Sequence, residues 1–247
     1  SFPTRRSSDL SDFTFFFVGN IEKERMKALA QKYIGAIPTM NREESWIDHN
    51  VEEPEGTVEK EIPLTLSIPK STVVLVLNNP VEYTPENLVA FKMIEGILDL
   101  RYTESIREEE GGTYGVMTNT SLQKYPDEKG TLMIMFDTDP EKADHLKSLI
   151  YKELEALAKE GPLDKDLQKT KENLLKDREQ NREHNSYWLN TIADYYAHGI
   201  DMNDPAIYDE IIENVSGKDL RKAMKKFYKS SNVVDLEFKP VEEADEE

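Results

Sequence analysis

One uninterrupted apolar run does most to limit what this chain can fold into. Residues Thr72–Leu77 read Thr-Val-Val-Leu-Val-Leu, with no charged side chain among them. A strand without polar alternation is buried on both faces, so this run predicts a central strand of a sheet. Thr84 and Pro85 then supply an N-cap and a proline at the first helical position, and the apolar spacing that follows predicts a helix to about Glu110. The chain therefore requires a sheet with long helices packed on it.

Four further segments have strand character, and their order along the chain indicates the fold class. The strand-like runs are Val58–Ile68, Thr113–Leu122, Thr131–Phe136 and Val233–Phe238, and turn residues between the second and third of these predict a hairpin. Most of the remaining sequence has helical spacing, including a very polar helix over about Leu163–Glu183. Strands and helices in irregular order predict an α+β fold with a mainly antiparallel sheet and helices packed on one side.

Changes in composition divide the chain into segments. The first ten residues have no apolar periodicity and resemble a translated sequencing adapter, so we expect them to be foreign to the fold and the protein to extend upstream. The run Phe13–Val18 predicts a strand, and a helix follows it. The predicted segments are a leader at 1–12, the strand and helix that end a preceding domain at 13–40, a linker at 41–56, a C-terminal domain at 57–240 and an acidic tail at 241–247.

The composition excludes several classes of protein. The chain holds 31 Lys and Arg against 49 Asp and Glu, a formal charge of −18, whereas nucleic-acid binding relies on clustered basic residues. No stretch approaches the roughly 18 uncharged apolar residues that a membrane span needs. There is no cysteine, which removes disulfides, thiolate metal ligands and cysteine nucleophiles. We therefore expect no nucleic-acid partner and no membrane span.

Motifs for metal binding are missing from the sequence. The four histidines do not form His-Glu-x-x-His or its inverted form His-x-x-Glu-His; they are His49, His145, His184 and His198. His184 and His198 are either neighbours in space or two unrelated surface histidines on helices. The pair Asp137 and Asp139 superficially suggests calcium ligands, but the following Pro140 makes it a helix cap. The sequence therefore predicts no metal ligand in this chain.

Motifs for a serine hydrolase and for phosphate binding are also missing. No serine lies in a Gly-x-Ser-x-Gly elbow, so a hydrolase triad has no starting point. The glycine-rich segment Gly111–Gly115 connects a predicted helix to a predicted strand, which is the reverse of the order that directs a helix N-terminus at phosphate. We therefore predict no cofactor-binding residue.

The segment from Arg107 to Tyr114 is the candidate for chemistry. A helix C-terminus delivers Arg107, and the turn at Gly111-Gly112 then places Tyr114 at the start of a strand, so the two side chains are able to converge on one spot. A guanidinium binds a peptide carbonyl, and a phenol donates to the oxyanion that forms when water attacks that carbonyl. The structural alternative is an Arg107 paired with Glu108–Glu110 and a Tyr114 packed in the core.

These residues resemble a motif of the M16 (insulinase, pitrilysin-like) zinc metallopeptidases. That family has a helix ending in Ile-Arg-Glu, a glycine-containing turn and a strand beginning with Tyr-Gly, and Arg107 and Tyr114 match its Arg and Tyr at the same spacing. The strand, Gly-Asn turn and helix ending Tyr-Ile-Gly-Ala-Ile-Pro at 13–38 are similar to another family segment, and 219–234 resembles the equivalent ending of the next domain. The resemblance implies an M16-like (LuxS/MPP-like) domain.

The resemblance also implies a function for a larger protein. Family members have four similar domains in two halves, and the first domain binds zinc through His-x-x-Glu-His. That domain is absent here, so the implied partners are an N-terminal M16 half, as the same chain or a separate subunit, and a peptide substrate. Arg107 and Tyr114 would position substrate for a zinc site on that half, in a soluble protein of the bacterial cytoplasm or periplasm. The alternative is a catalytically silent M16-like scaffold or partner subunit, which an upstream reading frame without His-x-x-Glu-His would favour.

Overall fold

The computed structural model describes residues 13–37, 39, 47, 49, 51–65, 69–109, 115–199 and 205–241, with side chains from 107 to 109 and at 205 and 206 left aside. The chain divides into two compact units. The larger unit comprises Glu52–Asp177 and Asp204–Glu247, and the smaller comprises Ser1–Val51 and Arg178–Asn203.

The larger unit is built on a five-stranded sheet. Its strands are β1 Thr57–Leu64, β2 Ser71–Pro80, β3 Val116–Gln123, β4 Lys129–Thr138 and β5 Asn232–Pro240. They lie in the order β1-β5-β2-β4-β3, so the apolar run 72–77 is in the central strand, as predicted. The β5–β2, β2–β4 and β4–β3 pairs are antiparallel, and β1 pairs parallel with β5. The predicted α+β class with a mainly antiparallel sheet is confirmed.

Seven α-helices are seen in the described part of the chain. They are α1 Lys23–Tyr33, α2 Pro85–Tyr102, α3 Ala143–Lys159, α4 Asp164–Asn181, α5 Asn185–His198, α6 Pro205–Asn214 and α7 Gly217–Lys229. Helix α2 continues directly into a π-helix, Thr103–Glu109, and a short 3₁₀ helix, Pro140–Lys142, precedes α3. Helices α2, α3 and α7 pack on the sheet.

The core lies between these helices and one face of the sheet. The alternate residues Val73, Leu75 and Leu77 of β2 are fully buried, and their neighbour Ile134 on β4 is buried with them. The rings of Phe91 on α2 and Phe227 on α7 meet edge to face at 5.1 Å between centroids. A Cβ added at Gly130 would lie 2.8 Å from the Phe91 ring, so this close approach of helix and strand requires glycine.

The smaller unit contains α1, α5 and the segment 13–18. The ring of Phe16 packs edge to face on Tyr196 of α5, with centroids 5.2 Å apart. The predicted strand Phe13–Val18 is wrong for the structure as described, because the segment has no regular secondary structure. A strand needs a neighbour with which to exchange backbone hydrogen bonds, and no strand in the described residues pairs with this segment.

Two other predicted boundaries differ from the structure. The helix predicted to reach Glu110 is α-helical to Tyr102 and π-helical beyond it, and Glu110 lies outside the described residues. Residues 178–203 group with the smaller unit, although they fall within the predicted domain 57–240. The leader at 1–12, the tail at 242–247 and most of 41–50 lie outside the described residues, so the predicted segment boundaries remain predictions.

Candidate substrate-positioning site

The structure describes only part of the predicted Arg–Tyr pair. The backbone of Arg107 lies in the π-helix Thr103–Glu109, and its side chain is outside the described set. Tyr114 also lies outside the described residues, which resume at Gly115, just before β3. The convergence of the two side chains therefore remains a prediction, and the structure shows the elements on either side of the pair.

The π-helix that carries Arg107 is anchored in the core. Ile106, its immediate neighbour, is fully buried. The hydroxyl of Thr103 donates to the carbonyl of Asp99 at 2.7 Å, and the hydroxyl of Ser105 donates to the carbonyl of Arg101 at 2.8 Å. Such side-chain bonds to the carbonyl four residues earlier compete with the helical N–H groups and often bend a helix. π-helical turns often occur at functional sites, so this one fits a site at Arg107.

Arg101 fixes the end of α2 through a buried ion cluster. Its guanidinium Nη1 lies 3.2 Å from Glu153 Oε2 on α3, and Nε lies 3.8 Å from Asp166 Oδ2 on α4. Nη2 donates to the carbonyl of Gly161 at 3.2 Å, between those two helices. Arg101 is 9% exposed, so three helices meet on one buried cation six residues before Arg107. The sequence prediction missed this role, although an arginine on the apolar stripe of α2 was a signal for it.

The strand that follows the candidate site is also held by α2. Glu95 Oε2 accepts hydrogen bonds from the Thr120 backbone N–H at 2.7 Å and from the Thr120 hydroxyl at 2.8 Å. Burial raises the pKa of Asp99, one turn further along α2, against the opposing effect of its contacts with Thr118. Strand β3 lies at the edge of the sheet, and an edge strand normally leaves N–H groups unpaired. Carboxylates of α2 therefore occupy part of this edge and fix β3 next to the Tyr114 segment.

A second buried cluster of charges lies between α3 and β5. Asp235 is 7% exposed and Glu237 is 1% exposed. Lys147 Nζ lies 3.3 Å from Glu237 Oε2 and 4.0 Å from Asp235 Oδ1, and the Tyr151 hydroxyl donates to Asp235 Oδ2 at 3.5 Å. Burial opposes the charge on Lys147, but the surrounding carboxylates outweigh it and raise the pKa of its ammonium group.

The pKa of Asp235 is raised, chiefly by burial and further by Glu59 and Glu237, although Lys147 and Tyr151 act in the opposite direction. The folded state therefore holds the proton more tightly than the unfolded chain does. The contribution of Asp235 to stability is present below pH 3.8, its usual pKa, and is lost as the pH rises through its raised pKa in the folded state. We expect the stability of Asp235→Asn relative to the native chain to increase as the pH rises through this window, measured by thermal melts over a pH series.

Asp219 provides a control of opposite sign for this prediction. Its pKa is lowered by hydrogen bonds from the Ser216 hydroxyl and backbone N–H in the capping box of α7. The contribution of Asp219 to stability is therefore present above pH 3.8, its usual pKa, and is lost as the pH falls through the lowered pKa. Asp219→Asn should lose stability relative to the native chain as the pH rises. Parallel behaviour of the two variants would contradict the assignment of Asp235.

His184 and His198 are too far apart to share a metal ion. His184 and His198 lie at opposite ends of α5, so a rise of 1.5 Å per residue separates their backbones by roughly 21 Å. That distance excludes a shared metal ion. No group of three His, Asp or Glu residues suited to a metal is found in the part of the chain that the structure describes. In the same residues, no helix combines the length and hydrophobicity that crossing a bilayer requires.

Together the fold and these anchored elements define an α+β domain with a mainly antiparallel sheet, and its described residues contain no group of metal ligands. Residues 9–174 match the model of the peptidase M16 inactive domain, and the chain therefore belongs to that family. The family resemblance inferred from the Arg–Tyr segment is confirmed.

Known relatives are longer than this chain. A probable zinc protease PqqL of Haemophilus influenzae is 26% identical over 154 residues, which are 62% of this chain and 16% of that protein. A zinc protease PQQL-like protein of Arabidopsis thaliana is 26% identical over 226 residues, 83% of this chain and 23% of that protein. The periplasmic protease PqqL of Escherichia coli has the same fold, with a TM-score of 0.70 at 17% identity over 90% of this chain and 25% of that one. The chain thus spans a quarter or less of the length of these relatives.

Proposed function

We propose that this chain is the substrate-positioning, zinc-free part of an M16 zinc metalloendopeptidase. The observation that carries the proposal is the match of residues 9–174 to the M16 inactive domain in a chain that keeps the Arg107 and Tyr114 spacing. The name of this domain family and the absence of a metal-ligand group from the described residues both fit a part that acts on a site built elsewhere. The partner is an upstream M16 half, and the substrate is a peptide.

In this proposal, the upstream half would hold the zinc ion, whose chemistry when bound would be to activate a water molecule. Arg107 binds a carbonyl of the peptide backbone and fixes the peptide in register. The Tyr114 phenol donates a hydrogen bond to the oxyanion that develops on the scissile carbonyl. The π-helix, Arg101 and Glu95 hold the flanking backbone in place. This matters for catalysis, since displacing a catalytic group by about 1 Å sharply lowers the rate.

The domain organisation is part of the same proposal. Residues 13–40 belong to the preceding M16 domain, which the exposed aromatic residues of this segment support: Phe13 is 55% exposed, Phe15 is 44% exposed and Phe17 is 48% exposed. Three neighbouring exposed phenylalanines are costly in water, and pairing with a strand of an upstream sheet would bury them. Protection of the backbone amides of 13–18 from hydrogen exchange is expected in the full-length parent and not in the isolated chain.

The experiment that tests the function joins the two halves. The upstream half is produced with this chain and then without it, and cleavage of a fluorogenic peptide is measured with and without a chelator. We expect cleavage to require both halves, to stop with the chelator and to return with zinc. A stable complex of the two halves that cleaves no peptide would show that the protein is a scaffold.

Zinc content gives a separate prediction for the isolated chain. Because the described residues offer no ligand set, the purified chain should hold far less than one zinc ion per molecule after dialysis, as measured by elemental analysis. Stoichiometric zinc that is lost in His184→Ala or His198→Ala would contradict the assignment of the metal to the upstream half.

A further inference from the structure

The face of the sheet opposite the helices carries a cluster of apolar side chains. Side chains alternate between the two faces of a strand, and paired residues of neighbouring strands share a face. The buried set that includes Val73 and Leu75 faces the helices, so the alternate set faces away from them. We call this second surface the open face, and its apolar side chains include Val74, Val76, Met117, Met133, Met135 and Leu236.

Strand β5 places its apolar residue on the open face and its acidic residues in the interior. Its sequence alternates apolar and acidic residues, a pattern that normally buries the apolar set and exposes the acids. The structure has the reverse arrangement: Asp235 and Glu237 are buried beneath α3, and Leu236 is left partly exposed on the open face. Burying two carboxylates is costly even when they are paired with Lys147.

Three methionines form one corner of the open face, which we call the methionine patch: Met117, Met133 and Met135. Met117 lies opposite Met135 in the register of β3 and β4, and Met133 is on the same face two residues along β4. Met117 is 55% exposed. Methionine is flexible and polarizable, and it is used at surfaces that accept apolar side chains of varied shape.

Two further features of the methionine patch bear on what it binds: a negative charge beside it and its position in the chain. Asp137 follows Met135 on the same face of β4, is exposed, and accepts a hydrogen bond from the Thr72 hydroxyl at 2.6 Å. Met117 is three residues after Tyr114, so the methionine patch directly follows the candidate site along the chain. A second copy of the chain is a poor occupant, because each copy carries a formal charge of −18 and the two repel.

We propose that the methionine patch and Asp137 bind an apolar side chain and an adjacent lysine or arginine of a peptide substrate. This inference rests on the proposed function and names the class of peptide that the site accepts. The patch buries the apolar side chain, and Asp137 pairs with the basic one. Carboxylates of α2 occupy part of the β3 edge, which favours recognition through side chains over addition of the peptide as a further strand.

Methyl NMR of the full chain tests this binding directly. Methionine methyl groups are labelled with ¹³C, and a short peptide that holds one leucine next to one lysine among glycine and serine residues is added. We expect the signals of Met117, Met133 and Met135 to shift and saturate, while those of the fully buried Met93 on α2 and Met224 on α7 stay unchanged. The control peptide replaces leucine by serine and should shift none of them.

Variants separate the two parts of the subsite. The double variant Met117→Gln and Met133→Gln should weaken binding by at least about tenfold, because the apolar contact is lost. Asp137→Asn should weaken binding of the lysine peptide by a few-fold and leave an uncharged leucine peptide unaffected, as expected for an exposed ion pair. Lys60→Gln, on the open face about 14 Å from β4 across three strand spacings, is the matched control and should bind normally.

Three results would overturn the inference: no shift in the patch, an equal shift with the serine peptide, or patch signals that change with chain concentration when no peptide is present. The last would identify the open face as an interface between copies. Binding is read here without cleavage, so the two proposals fail separately. If the joined halves cleave peptide but the methionine signals do not shift, only the proposed subsite is wrong. If the signals shift but the joined halves do not cleave, only the peptidase assignment is wrong.

Discussion

Arg101→Met is expected to lower the free energy of unfolding by about 3–5 kcal/mol, the usual cost of removing one partner from a buried charge cluster. Methionine keeps most of the length and apolar surface of the arginine side chain. The variant therefore leaves Asp166, 6% exposed, without its nearest cation and leaves the carbonyl of Gly161 without its donor. The measurement is chemical denaturation of the isolated chain, followed by circular dichroism.

Lys165→Met is the matched control for this loss. Lys165 precedes Asp166 on α4 and pairs with Glu104 at 3.1 Å, but the two side chains are 61% and 56% exposed. An exposed pair of this kind contributes roughly 0–1 kcal/mol, so the control should unfold almost as the native chain does. Equal effects of the two substitutions would show that the Arg101 cluster does not hold the three helices together.

The elements that were predicted correctly depend on local signals. Thr84 accepts a hydrogen bond from the Asn87 backbone N–H at 3.2 Å and begins α2 where the sequence placed its start. The β3–β4 hairpin follows from two runs joined by turn residues, and its antiparallel pairing is present. In each case the residues that make the structure lie within a few positions of one another.

The features that were missed depend on residues far apart in the chain. Strand β5 lies between β1 and β2 and pairs parallel with β1, with Thr57 opposite Val233, a partnership that no local pattern indicates. The alternation of β5 predicts the wrong buried face, because burial of Asp235 and Glu237 depends on Lys147, which comes from a helix elsewhere in the sequence. Phe13–Val18 failed for a related reason, since its strand character needs a partner strand that the described residues do not supply.

The candidate site was predicted from spacing and family resemblance, and the structure adds what surrounds it. The sequence identified Arg107 and Tyr114 because they stand at the end of a helix and the start of a strand. It did not show that Arg101 and Glu95 fix these two elements, because both side chains act on distant partners. The conformation of the turn between the elements stays a prediction.

Tyr114→Phe in the full-length parent is expected to reduce kcat by about 10² to 10³, the usual cost of losing one oxyanion donor. The change removes a hydroxyl and keeps the ring, so the melting temperature should stay close to that of the native protein. Tyr125→Phe is the matched control, because Tyr125 is 58% exposed at the β3–β4 turn and has no role in the proposed chemistry. Peptide cleavage and thermal melts are measured for both variants.

Arg107→Ala separates substrate positioning from a structural role. If the guanidinium holds ground-state carbonyls, kcat/KM falls and a larger share of the loss appears in KM. If Arg107 pairs with Glu108–Glu110 instead, the substitution acts through stability alone, and Tyr114→Phe is nearly silent in kinetics. Turnover by a well-folded Tyr114→Phe parent at the native rate would therefore remove both residues from the site, because the two were assigned together from one spacing in the sequence.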